Sequence, residues 1–324
     1  MSPLDALGFA PMATDMERVE TALRGSVLSS DPFLSDVAGH LVSAGGKRLR
    51  PALALCSAYA AKGIGPVGDD AITGGISVEL VHLGSLFHDD VIDEAETRRG
   101  VPSVNARWSN IVAILAGDYL LARASSLAAS LGADVAALLA ATIGELCRGQ
   151  VLELQHLFDA DRSVDAYLSA ISGKTASLFG TACRVGGMVS AVDDPTLEAL
   201  TEFGHHLGMC FQIVDDVLDV TATDEELGKP AGNDILEGVY TLPVIHALAG
   251  SDELRDLLGR KIDRTQLDTA RAFVQAGDAV ERSIETARGH AADASAVLAS
   301  TTALDADGVE GLTRLVDTLV TRQF

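Results

Sequence analysis

Lysine is scarce in this chain: 324 residues hold five lysines against nineteen arginines, 4% aromatics and four cysteines. Each shortage excludes something. The cysteines (Cys56, Cys147, Cys183, Cys210) lie far apart in apolar surroundings, so they read as reduced core residues, neither a disulfide framework nor a metal site. Few aromatics, with alanine and leucine dominant, favour close-packed helices. Positive charge is also short, 24 Lys+Arg against 46 Asp+Glu for a net −22. That balance argues against nucleic acid or an anionic membrane as a partner, since both need a basic surface. The longest apolar runs, such as Ile111–Ala116 and Val135–Ile143, fall short of the ~20 residues of a membrane helix. No basic segment precedes an apolar one at the N-terminus, so no signal peptide is expected. The expected location is cytoplasmic.

Hydrophobic residues make up 48% of the chain, enough for a sizeable core. Helical periodicity runs almost throughout, without convincing strand alternation. It predicts helices near 15–28, 32–44, 49–61, 71–94, 105–130, 134–158, 164–172, 174–190, 195–221, 234–249, 252–257, 264–288 and 309–322. Ser30-Asp31-Pro32, Gly63–Gly68, Asp159–Ser163, Asp193-Asp194-Pro195 and Thr223–Gly232 mark breaks, with Asp194 expected to cap the helix that Pro195 opens. No composition shift splits the chain, so the expected architecture is all-α, a single domain over 1–324.

Two pentads stand out: Asp89-Asp90-Val91-Ile92-Asp93 and Asp215-Asp216-Val217-Leu218-Asp219. Each abuts an apolar run with no turn residue before it, so each belongs on a helix. Residues three and four apart share a helix face, which puts Asp89 with Asp93 and Asp215 with Asp219. Three carboxylates on one face repel one another unless a cation sits over them. Hard oxygen donors of this kind suit Mg²⁺, which combines a few carboxylates with waters and substrate phosphates. Two such faces opposed across a bundle would clamp several Mg²⁺ ions and a diphosphate. With 30 aspartates in the chain one such pentad arises by chance roughly one time in four. Two, each followed by basic residues (Arg98-Arg99-Gly100 and Gly228-Lys229), do so far less often.

Three of the five lysines lie in glycine-flanked sites: Gly45-Gly46-Lys47-Arg48-Leu49-Arg50-Pro51, Ser172-Gly173-Lys174-Thr175 and Gly228-Lys229-Pro230. Together with His82 and the two pentads, the ordered set GGKRLRP, DDVID, RRG, GKT, FQIVDD-x-LD, GKPAGND and EGVYTLP resembles the trans-isoprenyl diphosphate synthases (polyprenyl synthetases) over about residues 40–250. The resemblance implies an all-α bundle around a central cavity, usually a homodimer. It implies head-to-tail condensation of an allylic diphosphate with isopentenyl diphosphate. It assigns Asp89, Asp90, Asp93, Asp215 and Asp219 to a cluster of about three Mg²⁺ ions, with Asp216 a neighbour. Arg98, Lys174 and Lys229 would hold the allylic diphosphate, and Gly46, Lys47, Arg50, His82 and Arg99 that of isopentenyl diphosphate. Thr175 and Gln212 would face the developing cation. No protein base is evident, and in this family the released pyrophosphate is thought to take the proton. Asp118 and Glu153 interrupt apolar faces, and either organise basic residues or form solvated surface.

One departure concerns Gly238-Val239-Tyr240-Thr241-Leu242-Pro243, where many relatives carry a lysine after the glycine. One contact of the allylic site is thereby in doubt. The family's short-chain members put an aromatic floor five or four positions before the first pentad; here those positions are Gly84 and Ser85, about one turn deeper at ~1.5 Å per residue. The expected product is an all-trans chain of roughly C30 to C50, long enough for transient membrane contact on release. The alternatives are a C20 (geranylgeranyl) synthase, a terpene cyclase, a head-to-head squalene-type synthase, or a non-catalytic subunit of a heteromeric synthase.

Overall fold

The computed structural model describes residues 9–227 and 231–321. Its elements are α1 (Met12–Ser26), α2 (Pro32–Ser43), α3 (Leu49–Lys62), α4 (Asp69–Ile92), the short strands β1 (Thr97–Arg98) and β2 (Val101–Pro102), α5 (Val104–Arg107), α6 (Asn110–Ser130), α7 (Ala133–Gln155) and α8 (Val164–Ile171). A π-helical turn, Ser172–Ala176, leads into α9 (Ser177–Val189) and α10 (Asp194–Thr221). The rest is α11 (Asp224–Leu227), α12 (Asn233–Glu237), α13 (Leu242–Leu248), α14 (Asp252–Leu257), α15 (Arg264–Ala276), α16 (Ala279–Ser300) and α17 (Ala306–Thr321). Among the described residues the fold is all-α apart from one two-stranded antiparallel ladder.

Two compact units emerge: residues up to Ile143 with Leu178–Gly204 and Val297–Leu315, and Gly144–Ser177 with His205–Ala296 and the chain from Val316. In the first, α4 is buried on nearly all sides, from Ala71 and Ile72 through Val78, Leu80, Val81 and Leu83 to Phe87. Small residues let the backbones approach: a Cβ on Gly75 would meet Pro51 of α3 at 3.2 Å, and one on Gly84 would meet the Gly117 carbonyl of α6 at 3.1 Å. Gly84 is therefore a packing contact, and Ser85 beside it is half-buried, its hydroxyl donating to the His82 carbonyl at 2.9 Å.

The helix boundaries differ from expectation where capping residues intervene. The expected 105–130 helix breaks at Trp108-Ser109, because the Ser109 hydroxyl accepts from Val112 N at 3.3 Å and starts α6. The expected 234–249 helix divides at Gly238, whose φ of +81° ends α12. The expected 264–288 helix stops at Gly277, and α16 then continues to Ser300. The cap of α10 is Asp193, one residue earlier than expected: its Oδ1 accepts from Thr196 N at 3.1 Å. Cys56, Cys183 and Cys210 are buried as expected, but Cys147 is exposed on α7: an apolar stretch of helix still turns part of its circumference outward.

α6 and α7 are long and apolar enough to cross a membrane by length and composition, but only 33% and 28% of their most apolar windows are buried. Ile111 is 71% and Leu115 61% exposed. These helices carry apolar surface that the single chain does not cover.

Candidate active site

In the first unit, basic side chains gather round the turn between α2 and α3. Gly45 (φ +86°) and Gly46 (φ +146°) take conformations that favour glycine. A Cβ on Gly46 would lie 2.8 Å from Arg99 Cζ, so a larger residue there would displace that guanidinium. Arg99 Nη1 donates to the carbonyl of Gly45 and, at 3.4 Å, to that of Leu41. Arg99 itself is left-handed (φ +54°) and Gly100 follows at +75°, between paired Arg98 and Val101. That is a two-residue hairpin with positive φ at both central positions, the geometry that matches strand twist. The Arg-Arg-Gly motif is thus a turn that presents two arginines, at a cost of about 1–2 kcal/mol for the left-handed arginine.

Arg48 is also left-handed (φ +46°) and buried. It donates to Glu20 Oε1 at 2.5 Å, Glu79 Oε1 at 3.1 Å and the Val42 carbonyl at 2.9 Å. Burial pushes the Glu79 carboxyl up, and Arg50, Arg48 and Arg99 oppose that push. Arg50 lies 5.1 Å over the Phe179 ring, and its Nε is buried with no hydrogen-bond partner among the described residues. Burial lowers its guanidinium to about 10, against Glu79 and with help from Arg99. Burial, then Arg50, Arg99, Arg98 and Arg48, hold His82 well below its ordinary value, so it is neutral at pH 7. Lys47 is exposed. The structure brings Gly46, Arg50, His82 and Arg99 together. Arg48 and Glu79, which sequence reasoning missed, organise them; the only local signal was Arg48 standing beside Lys47.

The first pentad divides by burial. Asp89 is half-exposed and Asp93 exposed, whereas Asp90 is buried. Asp90 Oδ1 accepts from Arg98 Nε at 2.7 Å, and Arg98 Nη2 lies 4.0 Å from Asp93 Oδ2. Arg98, expected as a diphosphate donor, is therefore also tied to the pentad. Asp90 Oδ2 is buried without a hydrogen-bond partner among the described residues. Burial raises the Asp90 carboxyl, and Arg98 opposes the shift. Asp118 is 3.4 Å from His88 and not on a basic diphosphate ligand.

The second unit also buries the middle aspartate of its pentad, but buries the third as well. Asp215 is exposed; Asp216 and Asp219 are buried. Asp216 accepts from Tyr167 OH at 2.6 Å and from Gln212 Nε2 at 2.8 Å, and Gln212 Oε1 accepts from Thr175 Oγ1 at 2.7 Å. Burial lifts the Asp216 carboxyl to about 7, against those two bonds and with Asp215 and Glu153 adding to the rise. Asp219 Oδ2 accepts from Asp234 N at 3.4 Å, and its carbonyl accepts from Gly232 N at 2.7 Å.

Lys174 and Thr175 ride on the π turn. A wide turn of this kind shifts side-chain direction within a helix and recurs at functional sites. It lies against α7 at two glycines: a Cβ on Gly149 would fall 2.3 Å from Lys174 N, and one on Gly173 2.8 Å from the Glu145 carbonyl. Lys174 Nζ donates to Glu153 Oε1 at 2.5 Å, which settles Glu153 as an organiser of a basic residue. Arg162, missed by sequence reasoning, is buried: Nη1 donates to the Tyr240 carbonyl at 3.1 Å and the guanidinium sits 5.6 Å over the Tyr167 ring. It lies under the segment where Val239 replaces a lysine. Nothing in the local sequence pointed to it. Lys229 lies outside the described residues.

Each unit thus carries an acidic oxygen set, with its middle aspartate buried and tied, beside cationic side chains. All-oxygen donors fit a hard divalent cation, and the unmatched Asp90 Oδ2 is a buried oxygen that such a cation would satisfy. Residues 31–276 match the family model described as Polyprenyl synthetase. The chain is 40% identical over 325 aligned positions to nonaprenyl diphosphate synthase of Mycobacterium tuberculosis, covering 98% of this chain and 95% of that protein. It is 39% identical over 276 positions to heptaprenyl diphosphate synthase component 2 of Geobacillus stearothermophilus, covering 84% and 85%. Among solved structures, a polyprenyl synthase from Caulobacter crescentus complexed with calcium and isoprenyl diphosphate superposes with a TM-score of 0.91 at 33% identity, over 99% of this chain and 98% of that one. With the motifs, the all-helical fold and these likenesses agreeing along nearly its whole length, the chain belongs to the polyprenyl synthetase family.

Proposed function

We propose that the protein is a prenyltransferase that condenses an allylic diphosphate with isopentenyl diphosphate, head to tail, to an all-trans polyprenyl diphosphate of roughly C30 to C50. The observation that carries this reading is the pair of intact aspartate pentads, each with its first carboxylate accessible and its middle one tied to Arg98 or to Tyr167 and Gln212. The long-chain names of the relatives support the product length over the C20 alternative. Intact pentads argue against a cyclase and a non-catalytic subunit.

In this reading Asp89, Asp90, Asp93, Asp215 and Asp219 hold about three Mg²⁺ ions, which when bound neutralise charge on the departing pyrophosphate. Lys174, held by Glu153, and Arg98, held by Asp90, present cations to the allylic diphosphate, and Lys229 joins them. Arg50, Arg99, His82 and Lys47, with the backbone at Gly46, take the diphosphate of isopentenyl diphosphate. Neutral His82 donates a hydrogen bond without adding charge to the crowded arginines. Thr175 and Gln212, bonded to each other, offer oxygen dipoles to the cation. The allylic C–O bond breaks, the new C–C bond forms at the terminal methylene of isopentenyl diphosphate, and the proton lost from C2, beside the tertiary cation so formed, goes to the released pyrophosphate. In this reading the whole chain, residues 1–324, acts as one functional domain. Two copies pair through apolar surface such as Ile111 and Leu115; the kinship with a synthase component makes a heteromeric partner the competing assembly. The enzyme works in the cytoplasm and meets the membrane when it releases product.

The test is incubation of the purified chain with labelled isopentenyl diphosphate and allylic primers of several lengths in Mg²⁺, followed by product sizing. Products of six to ten isoprene units are expected; a series ending at C20 overturns the length, and no condensation by the chain alone favours the heteromeric assembly.

A further inference from the structure

The second unit carries a set of donors that the proposed reaction does not use. His206 lies on α10; His290 and Asp293 lie on α16, three residues apart and so on one helix face. His206 Nδ1 and His290 Nδ1 are 3.0 Å apart, and His206 Nδ1 is 3.9 Å from Asp293 Oδ2. One donor atom from each residue lies within 4.8 Å of the other two. From this geometry we propose that His206, His290 and Asp293 bind a borderline divalent metal ion of the Zn²⁺, Co²⁺ or Ni²⁺ class.

The distances suit a single ion. Metal–imidazole bonds are about 2.0–2.1 Å, so two nitrogens 3.0 Å apart both reach one centre. Small side-chain rotations bring the carboxylate oxygen to its own bond length. The set has two nitrogens and one oxygen, which favours borderline metals and separates this site from the all-oxygen pentads that suit Mg²⁺. Three protein ligands leave room for water. Asp293 is 63% exposed at the side chain, which leaves an entry path.

The site adjoins the reaction machinery without belonging to it. His205 next in the chain shares a hydrogen bond, Nε2 to Ser172 Oγ at 2.9 Å, with the first residue of the π turn that carries Lys174 and Thr175. A bound ion would fix α10 to α16 one residue away from that contact.

The test is titration of the full chain with Co²⁺ in millimolar Mg²⁺, followed by the visible d–d absorption and by the metal bound at equilibrium. Wild type is expected to take up one more Co²⁺ per chain than His290→Ala, and Zn²⁺ is expected to displace that ion. Asp293→Ala changes an exposed side chain, leaves the fold intact, and is expected to weaken that binding by about 10-fold or more. The same Co²⁺ count and spectrum in wild type and His290→Ala would overturn the site. If His290→Ala does not fold, unchanged affinity in Asp293→Ala does so. The binding readout is independent of turnover, so failure here leaves the synthase reading untouched.

Discussion

Lys174 and Glu153 are locked together, Nζ to Oε1 at 2.5 Å, across the contact between the π turn and α7. The lysine is half-exposed and the glutamate nearly buried, so the carboxylate aims the ammonium and does not merely neutralise it. Glu153→Gln keeps a hydrogen-bond acceptor and loses the charge. It is expected to lower kcat/KM for the allylic substrate roughly 10-fold while leaving the Michaelis constant for isopentenyl diphosphate nearly unchanged, whereas Lys174→Ala falls further. Steady-state kinetics with each substrate varied in turn checks this; equal effects on both substrates would refute the assignment.

The pentads give a second expectation. Asp89→Ala and Asp215→Ala, both at accessible positions, should each cut turnover by a factor on the order of 100 or more with unchanged helical circular dichroism. Near-normal turnover in either variant would end the reading in which both carboxylate sets serve one reaction.

Arg48 and Glu79 form a buried ion pair, Nη1 to Oε1 at 3.1 Å with each side chain 2% exposed. Glu79→Ala leaves a buried guanidinium with Glu20 as its remaining carboxylate. Breaking a buried pair from one side costs about 3–5 kcal/mol, and Glu20 will hold the loss near the lower end. Urea unfolding measures it, and a loss under about 1 kcal/mol would contradict the burial argument.

His82 gives a pH dependence with a definite sign. Its folded value lies well below the 6.5 of the unfolded chain, chiefly through burial and then through Arg50 and Arg99. Between those two values the unfolded state binds the proton and the folded state does not. Stability therefore holds above 6.5 and falls as the pH drops through and below it. His246 and His290 are shifted the same way, so the test is a difference. His82→Gln should lose less stability than wild type between about pH 7 and pH 5 in urea titrations. Parallel curves would show that His82 carries no charge penalty.

Chain length is expected to answer to Ser85. Gly84 is occupied with the α6 contact, while Ser85 is half-buried, its hydroxyl bonded to the His82 carbonyl at 2.9 Å. Ser85→Phe stands about one turn before Asp89 and should shorten the product towards C15 or C20 while condensation continues. Chromatography of dephosphorylated products decides, and an active Ser85→Phe enzyme with unchanged products would show that the tail takes another route.

What the sequence determined by itself was whatever depends on local spacing. Helical periodicity gave the class and most helix cores, because burying one face imposes its period on the residues. The pentads, the Gly-Gly-Lys turn and the glycine-flanked Lys174 were legible because their chemistry needs particular residue types at fixed separations. Boundaries at Ser109, Gly238 and Gly277 were less so, since a cap or a left-handed turn competes with a periodicity that runs on past it.

Only the tertiary structure decided which member of each triplet is open. Asp90 and Asp216 look like their neighbours in the chain, yet one is turned inward onto Arg98 and the other onto Tyr167, 49 positions away. Glu79 beneath Arg48, Arg162 beneath Tyr240 and Glu153 on Lys174 arise in the same way. Burying an ionisable side chain is costly unless a partner meets it, and that partner comes from another element whose position no local pattern records.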